Sequence, residues 1–103
     1  MQDRSLLVTV VAAAFALPVA AQDAASLQAA VLAAGCAQCH GTNGHPVAGT
    51  TAPLASQPSE RFLQAMRAFR SGTRPSTVMG QIARGYSDAD LQALAGYFAV
   101  QPR

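Results

Sequence analysis

Cys36, Cys39 and His40 stand within five consecutive residues, and the 103-residue chain holds no other cysteine. On a helical turn, positions three and four apart are neighbours, about 5 to 6 Å between Cβ atoms. Both thiols and the imidazole therefore converge on one side of the chain. So short a chain has little else to hold it, because domains of this size are marginal unless disulfides, a metal or a cofactor reinforce the core. A bond between Cys36 and Cys39 would close too small a loop to contribute much stability. Something larger must fill and staple the interior.

The run Cys36-Ala37-Gln38-Cys39-His40 is the attachment pattern of haem c. Two thiols at this spacing can form thioethers with two vinyl groups along one haem edge, while the adjacent imidazole turns onto the iron. Three other chemistries are the alternatives. A thioredoxin-like redox pair needs a strand-helix-strand setting, and no strand pattern occurs in the sequence. Zinc held by Cys36, Cys39, His40 and His45 would need two ligands side by side, with less separation between its pairs than a finger has. A plain structural disulfide is the third alternative.

Residues 1–21 read as a secretory signal. Arg4 gives a weakly positive start, Leu6 to Leu17 is apolar and uncharged, and Pro18 precedes Val19-Ala20-Ala21. Cleavage is expected after Ala21, which leaves residues 22–103 as one domain. The apolar run is shorter than the roughly 20 residues a spanning helix needs, so no permanent membrane span is expected after cleavage. Asp3 offsets Arg4, and an uncleaved N-terminal anchor is the alternative. Export places the chain in the periplasm, where thiol chemistry is oxidising.

Beyond the signal, six arginines (Arg61, Arg67, Arg70, Arg74, Arg84, Arg103) face Asp23, Glu60, Asp88 and Asp90, and the chain's net charge is +2. This is too weak and too dispersed for a nucleic-acid partner. There is no lysine and no run of like charge, so nothing supports binding to a membrane surface.

Apolar periodicity predicts three helices. The first starts near Ser26, with Leu27, Ala30, Val31 and Ala34 as its stripe and Gly35 at its end. The second starts near Ser59, with Phe62, Leu63, Met66 and Phe69 inward, Arg61, Arg67 and Arg70 outward, and Ser71-Gly72 as the stop. The third follows Ser87, which with Asp90 three residues on resembles a capping box with the shorter acid in place of Glu, and its stripe is Leu91, Leu94, Ala95 and Phe98. Gly41 to Pro58 reads as an extended loop, and Pro75 to Gly85 as a second loop with a helical turn around Gln81 to Arg84.

Cys36-Ala-Gln-Cys-His40-Gly41-Thr-Asn-Gly44, Ala52-Pro53-Leu54-Ala55, Met79, Gly85-Tyr86-Ser87-Asp88 and Leu94-Ala-Gly-Tyr97-Phe98 together resemble a class I c-type cytochrome. Met66-Arg-Ala-Phe69-Arg70-Ser-Gly-Thr-Arg74-Pro75, with the following Met79 to Asp88, is most similar to the cytochrome subunit of flavocytochrome c sulfide dehydrogenase. The resemblance implies an all-α fold of three to four helices wrapped around one covalently attached haem c. It implies a methionine, Met79, opposite His40 on the iron. The residues agree: Met66 sits in a helical stripe where a flexible gap-filler is expected, whereas Met79 lies in a loop between Pro75 and Gly80. Met66, His45 or an open position are the alternatives.

The family also implies that the backbone carbonyl of Pro53 accepts the Nδ1 proton of the ligand histidine, which would fix its tautomer. A plain turn proline is the alternative. Gly35 and Tyr97 resemble the crossing of the first and last helices. Tyr86 and Arg74 could reach haem propionates, although an exposed tyrosine and a solvated arginine are the simpler expectation. The implied function is electron transfer rather than enzyme catalysis. The partner is then a flavoprotein subunit that oxidises sulfide or, for a freely diffusing carrier, larger redox complexes. A ligand-sensing haem protein is a third possibility.

Overall fold

The computed structural model describes residues 23–103. The signal expected over residues 1–21 lies outside the described residues. Helix α1 covers 23–34, and after a turn at 35–36 comes α2, Ala37–His40. A short 3-10 turn, Thr42–Gly44, opens the long loop. Then follow α3 (Ser59–Ser71), α4 (Met79–Ala83) and α5 (Asp88–Ala99). Among the described residues there is no strand, and the fold is all-α.

The last helix forms as its sequence requires. Ser87 Oγ accepts from the Asp90 N–H at 3.1 Å, and Asp90 Oδ2 accepts from the Ser87 N–H at 3.0 Å. Two amide donors that the helix leaves without partners are thus satisfied reciprocally. Leu91, Leu94, Ala95 and Phe98 are buried, as the stripe predicts. Each large side chain of that set contributes about 1.5–3 kcal/mol by leaving water. At the other end, the Ser56 N–H donates to Phe98 O (2.9 Å) and Gln101 Nε2 to Tyr97 O (3.0 Å). The loop before α3 therefore closes the C-terminus of α5.

Helix α3 buries Phe62, Leu63 and Met66. It ends where Gly72 takes a left-handed conformation (φ 82°) and donates its N–H to Phe69 O. The Phe62 and Phe98 rings lie 5.7 Å apart, which seats α3 against α5. Ala83 of α4 and Ala33 of α1 complete the core.

Two expectations need correction. Met79 does not lie in a loop: it opens α4. Ser76 Oγ accepts from the Gly80 N–H at 2.8 Å and so closes the turn that starts the helix, while the fully buried Ala83 anchors its end. Helix α1 is already helical at 23, ahead of the expected start near Ser26, and turns a different face inward. Ala33 is buried and Ala29, Ala30 and Leu32 are half-buried, whereas Leu27 and Val31 are 66% and 65% exposed. A helix this rich in alanine is apolar nearly all round, and its small-residue side allows the closest approach to the core.

Candidate functional site

The turn that carries the cysteines is an extension of α1. The Cys36 N–H donates to Ala33 O (3.0 Å), the His40 N–H to Cys36 O (2.9 Å) and the Gly41 N–H to Ala37 O (2.9 Å). Cys36 and His40 are therefore stacked one helical turn apart, with Cys39 between them. Both thiols are free. Cys36 is half-buried and Cys39 exposed, and burial pushes the Cys36 thiol above its usual range. The Thr51 hydroxyl donates to Cys39 O and brings the loop back across this turn.

His40 is held by one bond: its Nδ1 lies 2.7 Å from Ala52 O. A carbonyl only accepts, so Nδ1 carries the proton and Nε2 of the neutral ring keeps its lone pair. The acceptor is the residue before Pro53, not Pro53 itself as the resemblance implied. The physical reason lies in the Ala52-Pro53 bond. Proline restricts the preceding residue to extended conformations, so Pro53 acts on His40 by setting the backbone of Ala52.

Two glycines make this approach possible. Gly41 has φ 77°, and a Cβ there would lie 2.0 Å from His45 O; Gly44 has φ 81°, and a Cβ would lie 2.6 Å from Ala55 N. Gly44 O accepts from both Leu54 N (3.0 Å) and Ala55 N (3.1 Å), which binds the Ala52-Pro53 segment to the 3-10 turn after His40.

The structure separates the other candidates. Met66 is a core residue, 6% exposed. Met79 is half-buried at the start of α4, packed on the edge of the core, as is Cys36. His45 turns away from the cysteines: Nε2 lies 2.7 Å from Pro102 O and Nδ1 3.3 Å from Thr42 O. Among the described residues no three His, Cys, Asp or Glu side chains are grouped to hold a metal ion, so the four-ligand zinc arrangement does not form.

Tyr86, expected as an exposed loop residue, is half-buried. Its hydroxyl lies 3.5 Å from where a Gly35 Cβ would stand, and burial, with Cys36 and Asp90 adding, raises its phenol above the ordinary range. The close neighbour of Gly35 is therefore Tyr86 rather than Tyr97. Tyr97 donates to Asn43 Oδ1 at 2.6 Å and ties α5 to the turn after His40. Arg74 stacks its guanidinium over the Phe69 ring at 4.7 Å. Ala52, Thr51 and Asn43 were missed as site-building residues. Of these only Asn43 carried a signal, since the Gly-Thr-Asn-Gly run demands left-handed backbone, which Asn43 adopts at φ 55°.

The donor set suits a covalently held haem. Two free thiols and an imidazole with its Nε2 lone pair share one turn, and a half-buried thioether packs on the core edge with Cys36. The comparisons agree. The family model for cytochrome c matches residues 25–99, and the chain belongs to the cytochrome c family, as a class I monohaem c-type cytochrome that carries covalent haem c. It is 43% identical over 67 residues to the thiosulfate dehydrogenase electron acceptor of Stutzerimonas stutzeri, a match covering 62% of this chain and 31% of that one. It is 36% identical over 69 residues to the cytochrome subunit of sulfide dehydrogenase of Chlorobaculum tepidum, covering 66% and 61%. Cytochrome c-553 of Helicobacter pylori is 36% identical over 67 residues, covering 64% and 70%. The chain spans less than two thirds of the length of the first two. The first of these relatives is named as an electron acceptor and the second as a cytochrome subunit.

Proposed function

We propose that this chain is an exported single-electron carrier in which Cys36 and Cys39 would form the thioethers to the haem, and His40 Nε2 and the Met79 sulfur would hold its iron. The single observation that carries this reading is the His40 Nδ1 bond to Ala52 O at 2.7 Å, which aims the free nitrogen away from the loop on the turn that also holds both thiols. The bound haem iron supplies one-electron oxidation and reduction. The protein's part is to hold the ligands still. The Ala52 carbonyl fixes the His40 ring, the Gly44 carbonyl holds the Leu54 and Ala55 amides just after it, and α4 carries Met79. A thioether opposite imidazole favours the ferrous state and raises the potential. With His40 and Met79 both holding the iron, no position would be left for a substrate, which favours a carrier over an enzyme. The signal read over residues 1–21 supports the periplasm as its compartment.

The test is Met79→Ala. The variant is expected to have a lower midpoint potential and to bind carbon monoxide when reduced; an unchanged potential contradicts Met79 as ligand. A carbon monoxide complex of the unmodified reduced protein at neutral pH would favour the ligand-sensing reading instead.

The names of the relatives favour one narrower reading. Two of them serve dehydrogenases of sulfur compounds, as electron acceptor or as cytochrome subunit. We infer the same role here, with a flavoprotein that oxidises sulfide as the donor. Co-purification of haem and flavin absorbance in one complex is the expected result, and haem alone would leave a diffusible carrier between larger redox complexes.

A further inference from the structure

The loop that presents the Ala52 carbonyl to His40 is tied, on either side of Ala52, to the chain that follows α5. The Ser56 N–H donates to Phe98 O (2.9 Å), the Ser56 hydroxyl donates to Gln101 O (2.6 Å), and His45 Nε2 lies 2.7 Å from Pro102 O. A carbonyl only accepts, so Nε2 carries the proton at His45, where at His40 it is Nδ1. Three carbonyls of one short segment thus take donors from two residues of the loop. That segment has a firm base. The Gln101 N–H donates to Phe98 O (3.2 Å) and its side chain to Tyr97 O (3.0 Å), which joins it to α5 with its four buried residues.

The placement of the two loop residues gives these ties their consequence. His45 directly follows the 3-10 turn after His40, and Ser56 directly follows the two amides that bond to Gly44 O. Between Gly41 and Arg61 the buried core has no member, and Leu54 alone packs against its edge. Among the chain's own contacts, hydrogen bonds rather than packing therefore fix this stretch. Ser56 also has left-handed backbone, φ 60°. A residue other than glycine keeps that conformation where its surroundings over-determine it, and such residues collect at functional sites. Here the surroundings are the two bonds from Ser56 to the segment after α5.

We propose that Ser56 and His45 are positioning residues for His40: they strap the loop to residues 98–102, and the strap keeps the Ala52 carbonyl on His40 Nδ1. This rests on the reading of His40 as an iron ligand. An acceptor on Nδ1 raises the basicity of a ligand imidazole. Electron donation from the ring favours the ferric state, so a slack strap should raise the midpoint potential. Loss of Met79 is expected to lower it, and the sign separates the two effects.

The haem-loaded, reduced protein can be tested by proton NMR, which follows exchange of the His40 Nδ1 proton with water, and by the midpoint potential. Ser56→Ala and His45→Ala should each speed that exchange about tenfold, the upper end of what one hydrogen bond contributes, and raise the potential. His45→Gln returns a donor of similar reach to Pro102 O and should restore both values. Ser87→Ala, which weakens α5 at its opposite end, is the control and should move neither. Unaltered exchange and potential in both alanine variants of the strap would overturn the proposal. Equal changes in Ser87→Ala would overturn it too, since the effect would then be one of overall stability. If the His40 ring protons lack the large shifts that a haem ring current imposes on a bound imidazole, the ligand reading falls and the strap with it. Shifted His40 resonances with unaltered exchange would remove the strap alone.

Discussion

At His40, one hydrogen bond determines which ring nitrogen is free, and glycines determine whether that bond can form. Gly41 and Gly49 have nearly the same φ, 77° and 80°, but only at Gly41 would a Cβ meet the backbone, 2.0 Å from His45 O. Gly49→Ala is therefore expected to cost only the left-handed strain, about 1–2 kcal/mol. Gly41→Ala adds a backbone collision and should cost several times as much, with poor haem attachment. Melting curves and haem yield of the two variants check this; equal losses would mean that the turn after His40 is more plastic than its geometry implies. The ligand-bearing turn was legible in the sequence because its chemistry resides in side chains. The acceptor for His40 was legible only to within one residue, since a backbone carbonyl leaves no mark on residue identity. Here the extended conformation imposed before Pro53 presented the Ala52 carbonyl instead.

Among the elements, α5 was the most legible, because its cap and its stripe are both local. Ser87→Ala removes one half of the capping box and should cost about 1 kcal/mol, or roughly 4–8 °C in melting temperature for a domain of this size. A shift below a degree would mean that water replaces the cap. Arg70 links α3 to the start of α5: its guanidinium donates to Asp88 Oδ1 at 2.6 Å and to Tyr86 O at 3.4 Å. This bond holds the Asp88 carboxyl below the usual carboxylate range. A carboxyl depressed in the folded state stabilises the fold above its unfolded value, near 4, and loses that contribution as pH falls through the lower folded value. Asp88→Asn should therefore flatten the acidic limb of the stability profile and change little above pH 6; an unaltered acidic limb would show that the pair is too solvated to matter. Helix α4 was less legible, because its five residues are too few for a period and its start is set by Ser76. The inward face of α1 was misread because alanine fits a core as well as leucine does when the helices lie close.

For the molecule as a whole, the core among the described residues is small: nine buried apolar residues, three of them alanines, span four helices. A core of this size is marginal on its own, and the prosthetic group supplies the apolar area that the chain lacks. Replacing both Cys36 and Cys39 with Ser should therefore abolish cooperative thermal unfolding as well as haem attachment. A sharp transition in the double variant would show that the helices pack without the staple. The central claim is that Cys36 and Cys39 attach one haem whose iron His40 binds. It is tested most directly by the absorption spectrum, oxidised and then reduced, of the full chain produced in a host with working cytochrome maturation, recorded before and after acid-acetone extraction. Haem c bands that stay with the protein through extraction are the predicted result. A colourless protein, or haem that washes away, would contradict it.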